Sequence, residues 1–94
     1  MKLTKFNILD HLKNEEEIQA FIQVALDDED PAFIPIALAE VARARKAMAK
    51  AAKAAGVART SLYQSLSAEG RPAFDTVAKV AHSLGYKITL VPIA

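Results

Sequence analysis

Four side chains able to hydrogen-bond outward recur at helical spacing past the middle of the chain: Arg59, Thr60, Tyr63 and Gln64. Residues three and four apart share one face of a helix. A helix over this stretch would present those four on one side and turn Leu62 and Leu66 to the other. Arginine matches the two major-groove acceptors of guanine, and glutamine matches the donor and acceptor of adenine. The chemistry these residue types suit is therefore the reading of base edges, with Arg59 and Gln64 as the best-matched pair and Ala58 at the entry to the helix. Catalysis has no comparable support. Ser61, Ser65, Ser67 and Ser83 lack a histidine or lysine at a spacing that suggests an activated nucleophile. There is no glycine-rich phosphate loop and no run with metal-ligand spacing, and no cofactor is implied. With no cysteine, a disulfide framework and a thiolate metal site are both excluded.

The element that must position these side chains is Met48 to Ser67, MAKAAKAAGVARTSLYQSLS, which reads as two short helices joined by a tight turn. Gly56 ends the first, because a helix commonly closes on a left-handed residue and glycine adopts that conformation freely. Val57 is suited to plug the angle between the helices, and Ala52 and Ala55 keep the first helix slim where another crosses it. The layout is that of a DNA-reading helix-turn-helix. An ordinary helical hairpin would share the pattern, so charge must be weighed beside it.

The formal net charge of +1 conceals a division. Residues 1–42 hold three Lys/Arg against nine acids, a net of −6, whereas residues 43–71 hold seven Lys/Arg against Glu69 alone, a net of +6. Positive charge concentrated on the motif is the footprint of a phosphate-binding face. Lys50, Lys53 and Arg71 are the candidate phosphate contacts, with Arg43 and Lys46 added according to where the preceding helix breaks. That break is not legible: from Ile36 to Ala55 there is neither glycine nor proline, and local propensity alone draws one continuous helix. The motif requires a change of direction near Arg45 to Met48.

The remaining segments supply the scaffold. Phe6, Ile8, Leu9 and Leu12 are candidate anchors for the start of the chain, and His11 lacks a second ligand nearby. Asn14 and Glu17 have capping-box spacing. Glu15, Glu16 and Glu17 then fall where a helix dipole favours negative charge, ahead of a stripe of Ile18, Phe21, Ile22, Ala25 and Leu26. In the acidic run Asp27 to Asp30, Asp30 suits the N-cap of the next helix and Pro31 its first position. That helix carries Phe33, Ile34, Ala37, Leu38 and Val41. After Gly70 and Pro72, Phe74, Val77, Ala78, Ala81 and Leu84 mark a last helix closed by Gly85. Tyr86 to Val91, YKITLV, alternates like a strand, with Tyr86, Ile88 and Leu90 on one face. Having no companion in the chain, it points to pairing with a second copy. Residues 1–94 thus read as a single domain, mainly α, of about five helices with the motif at 48–67 and a short strand at 86–91. No signal peptide is evident and no stretch approaches the ~20 apolar residues of a membrane span, so a cytoplasmic protein is expected.

The order of segments resembles the addiction-module antidote proteins, HigA-like antitoxins of the Xre/lambda-repressor-like superfamily. The resemblance is carried by FNILDHL, DDEDPAFI, ALAEVARARK, GVARTSLYQSLS and RPAFDTVAKVAHSLGYKITL, and covers nearly the whole chain. It implies a dimeric helical repressor that neutralises a small toxin of the RelE/ParE type and represses its own operon by binding double-stranded operator DNA. Its reading positions fall on Ala58, Arg59, Thr60, Tyr63 and Gln64. Met48 stands where relatives start the first motif helix with a polar residue, and Ala73 where a capping serine is usual. A toxin that cleaves RNA is basic where RNA binds, so Glu15, Glu16, Asp27, Asp28 and Glu29 are the candidate partner surface; the plainer reading is that they serve helix dipoles and solubility. The alternative function is a prophage-type regulator without a toxin partner.

Overall fold

The computed structural model describes residues 12–67 and 69–93. These form five helices: α1 (Glu15–Asp27), α2 (Phe33–Ala44), α3 (Met48–Ala55), α4 (Arg59–Leu66) and α5 (Phe74–Ser83). The anchors expected at Phe6, Ile8 and Leu9, and His11, lie outside the described residues.

α2 is the axis of the domain, in contact with each of the other four helices. Its sequence FIPIALAEVARA explains this, because Ala37, Leu38, Ala39, Val41 and Ala42 are all buried, and such a helix must be covered on more than one side. α1 lies along α2, and α3 packs on both α4 and α5. The core joins Leu12, Ile18 and Ile22 to Leu38, Val41, Leu62, Leu66, Val77, Val80 and Leu84. Val80, absent from the expected stripe of the last helix, is fully buried. Phe74 (72% exposed) and Leu26, both expected on buried faces, sit near helix ends beyond the reach of the core.

Local signals account for most boundaries. At α1 the Asn14 side chain accepts from the Glu17 N–H at 2.8 Å, and the Glu17 carboxylate accepts from the Lys13 N–H at 2.8 Å. This is the expected reciprocal cap, displaced by one residue on its return bond. Asp30 accepts from the Ala32 N–H at 3.0 Å, so it caps the turn Pro31–Ala32, and regular helix begins at Phe33.

The long segment without glycine or proline does not run straight. α2 stops at Ala44, and Lys46 takes a left-handed φ of 56°. The Lys46 N–H donates to the Arg43 carbonyl at 3.0 Å, and the Ala47 N–H to the Ala42 carbonyl at 2.7 Å. The same bond pair closes α3 at Gly56, where the Gly56 N–H reaches Lys53 and the Val57 N–H reaches Ala52. Both are Schellman closures, one on the expected glycine and one on a lysine that is strained there. Burial supplies the reason: the turn swings Ala51 and Ala52 against the core, where both are essentially inaccessible.

Two expectations need correction. Val57 is 42% exposed and does not plug the angle between α3 and α4; Ala51, Ala52, Leu62 and Leu66 fill that space. The strand over 86–91 does not form, and no strand occurs among the described residues. Beyond the Tyr86 N–H, which donates to the Ala81 carbonyl at 2.9 Å, the segment has no backbone ladder. A β-type sequence in one chain cannot pair with itself.

Candidate nucleic-acid interface

α3 and α4 are eight residues each, joined across Gly56–Ala58. On α3, Ala51 and Ala52 face inward while Lys50 and Lys53, three apart, are exposed. On α4, Leu62 and Leu66 are 0% exposed, and Arg59, Thr60, Tyr63 and Gln64 lie outside. The two leucines tie α4 to the core, so the outward side chains stand on a fixed backbone. Ala58 is extended (φ −70°, ψ 150°) and exposed at the entry.

Arg59, Thr60, Tyr63 and Gln64 line one open cleft together with Arg43 from the last turn of α2 and Met48 from the start of α3. Three helices therefore contribute to it. Arg43 Nη1 donates to the Tyr63 hydroxyl at 3.1 Å and to Glu40 Oε1 at 3.3 Å, with its guanidinium 5.5 Å from the centre of the Tyr63 ring. Arg43 is tied to this cleft because α2 ends where it does. Met48, named above as a departure from the resemblance, adds an apolar side chain to the cleft.

Two residues further along, Arg45 turns the opposite way. It donates to both oxygens of Glu15, at 3.0 and 2.7 Å, to the Leu84 carbonyl at 2.7 Å and to the Tyr86 hydroxyl at 3.1 Å. Burial of the guanidinium opposes its charge, but the hydrogen bonds to Glu15 and Tyr86 and the attraction of both outweigh it, and the pKa is raised. Arg45, counted in the positive stretch, is thus a structural tie rather than a free cation. Tyr86 is taken up by the same network, since its hydroxyl also accepts from Gln19 Nε2 at 2.9 Å.

Lys50, Lys53 and Arg71 are exposed but do not line the cleft. The acidic candidates do not form one surface either. Glu15 and Glu16 open α1, while Asp27, Asp28 and Glu29 stand at its far end, ~18 Å away at 1.5 Å per residue. Glu15 is engaged by Arg45. Asp27 to Asp30 connect Leu26 to Pro31, and both of those residues line an apolar groove of about 530 Å³ shared with Pro35, Phe74 and Ile88. The acidic run therefore borders that groove, a juxtaposition that the sequence pattern alone did not reveal.

A family model described as "Probable addiction module antidote protein" matches residues 2–92. The chain belongs to this addiction-module antidote family. It is also 41% identical over 83 residues to an uncharacterized protein of Haemophilus influenzae (strain Rd), an alignment spanning 88% of this chain and 84% of that one. No solved structure matches it. Membership in an antidote family implies a toxin partner and a regulatory rather than enzymatic role. Among the residues that line the cleft, Arg43 is the one the sequence placed least firmly. Its signal was a cation in the last turn of the helix preceding the motif, and that signal becomes informative only once the break at Lys46 is known.

Proposed function

We propose that this antidote-family protein is the antitoxin of a type II toxin–antitoxin module, reading double-stranded operator DNA through α3 and α4, repressing its own operon and neutralising a small RelE/ParE-like toxin. In this reading the five helices are a lambda-repressor-like helix-turn-helix bundle. The observation that carries it is the convergence of Arg59, Thr60, Tyr63 and Gln64 on one open cleft, outside the buried Leu62 and Leu66 and within the stretch of net charge +6. Arg59 and Gln64 read bases. Lys50, Lys53 and Arg71 meet flanking phosphates and set register without reading sequence.

Two further parts complete the reading. The C-terminal segment carries Ile88, Leu90, Val91 and Ile93 exposed, on backbone with no ladder partner, and pairs with the same segment of a second copy. Such a homodimer would set two clefts about one DNA turn, ~34 Å, apart. The toxin is received at Asp27, Asp28 and Glu29 beside the apolar groove, where a basic and partly apolar surface would find both charge and shape complement; Glu15 and Glu16 play the lesser part.

Purification of the protein from its native host, with mass spectrometry of bound protein and sequencing of bound DNA, tests all parts together. Recovery of a small basic protein and of the region upstream of its own gene is expected. DNA without a toxin would favour the prophage-type regulator, and neither would end the proposal.

A further inference from the structure

We propose that Arg43 is a positioning residue for DNA contact. It occupies the acceptor side of the Tyr63 hydroxyl, leaving the phenolic proton free for donation to a phosphate oxygen of duplex DNA. The proposal rests on the DNA-reading assignment above and adds a residue from outside the α3–α4 motif.

A tyrosine hydroxyl brings one proton and acceptor lone pairs. Arg43 Nη1 donates to the Tyr63 oxygen at 3.1 Å, and among the described residues nothing accepts the Tyr63 proton. An arginine has no acceptor to offer, so the proton must point elsewhere, and the open side is the cleft shared with Arg59, Thr60 and Gln64. Donation from a cation also polarises the O–H bond and strengthens it as a donor. The guanidinium lies 5.5 Å from the ring centre, which restrains the ring as well as its oxygen. A donor-only hydroxyl within a positive stretch fits an acceptor-only anion, and the phosphodiester oxygen is that group.

Arg43 itself is not a free cation. It pairs with Glu40 at 3.3 Å, one turn back on α2, and the Glu40 side chain is mostly covered. With its charge matched locally, Arg43 acts through Tyr63 rather than by neutralising a phosphate. The two roles give different salt dependence. A residue that neutralises a phosphate contributes about 0.9 to the slope of log K against log salt, whereas a neutral donor contributes nothing.

The test uses the full chain with the tightest duplex that the wild-type protein recovers from a random-sequence library, and a scrambled duplex of equal length. Affinities across a salt series are measured for wild type, Tyr63→Phe, Arg43→Ala, Arg43→Lys and the Tyr63→Phe/Arg43→Ala pair. Tyr63→Phe is expected to weaken binding about tenfold on both duplexes, the scale of one hydrogen bond to a charged group, with the salt slope unchanged. Arg43→Ala is expected to match that loss with the slope again unchanged, the pair to lose no more than either alone, and Arg43→Lys to recover part of it. A slope reduced by about one in Arg43→Ala, with losses that add in the pair, would make Arg43 a direct phosphate contact and overturn the proposal. Unchanged binding by Tyr63→Phe also overturns it, and that variant removes only the oxygen of an exposed side chain, so folding is not at issue. Wild-type binding with unaffected variants sinks this inference alone; no wild-type binding to any duplex sinks the DNA reading with it.

Discussion

The Arg45 guanidinium donates to the Leu84 carbonyl at 2.7 Å and so fastens the end of α2 to the end of α5. Two positions earlier, Arg43 reaches Tyr63 on α4. Arg43 stands in the last turn of α2 and Arg45 is the residue that closes it, and their divergence separates a cation that holds the fold from one that lines the cleft. Each lies 5.5 Å from the centre of a tyrosine ring, Tyr86 for Arg45 and Tyr63 for Arg43.

Replacement of Arg45 by alanine is therefore expected to destabilise the protein by about 2 kcal/mol, since hydrogen bonds to a charged group contribute about 1.5–3 kcal/mol and Leu84 and Tyr86 lose their donor. Glu15→Gln is expected to cost less than about 1 kcal/mol, because its carboxylate is well exposed and water screens the pair. Urea unfolding of both variants checks the order; equal losses would refute the distinction.

Lys46 is the one described residue other than glycine with positive φ, at 56°. Lys46→Gly is expected to raise stability by roughly 0.5–1 kcal/mol, the left-handed penalty for an L side chain less the added freedom of glycine in the unfolded chain. Thermal denaturation reads this directly. A lower melting temperature would mean that Lys46 makes a compensating contact.

At the cleft, Arg59→Ala and Gln64→Ala are each expected to weaken operator binding by about 1–3 kcal/mol and to relax preference at one base pair. The triple variant Lys50→Ala, Lys53→Ala, Arg71→Ala is expected to weaken selected and scrambled duplexes alike and to flatten the salt dependence. Fluorescence anisotropy on both duplexes separates the two patterns, and their exchange would reverse the assignments.

Ile88 and Leu90 are exposed on the segment that follows α5, Leu90 at 93%. Replacing both with lysine is expected to yield monomers by sedimentation while leaving the melting temperature within a few degrees, because neither belongs to the core. A dimer that survives the change would place the interface elsewhere. Tyr86 is left out of this test, since its ties to Gln19 and Arg45 make it part of the fold.

The sequence by itself determined most of the helix boundaries and the division of α4 into two faces. Those features follow from periodicity and capping, which act within a few residues: Asn14 with Glu17, Gly56 after α3, and Leu62 with Leu66 opposite Arg59, Thr60, Tyr63 and Gln64. What only the tertiary structure decided concerns partners far apart in the chain. The break at Lys46 has no glycine to announce it and follows from the burial of Ala51 and Ala52. The fates of Arg43 and Arg45 depend on that break, with contacts 20 and up to 41 residues away. The strand suggested by YKITLV is absent because alternation expresses a preference, whereas a strand needs a second backbone beside it. Local physics is written in neighbouring residues; the meeting of Arg43 with Tyr63 requires the whole domain to close around α2.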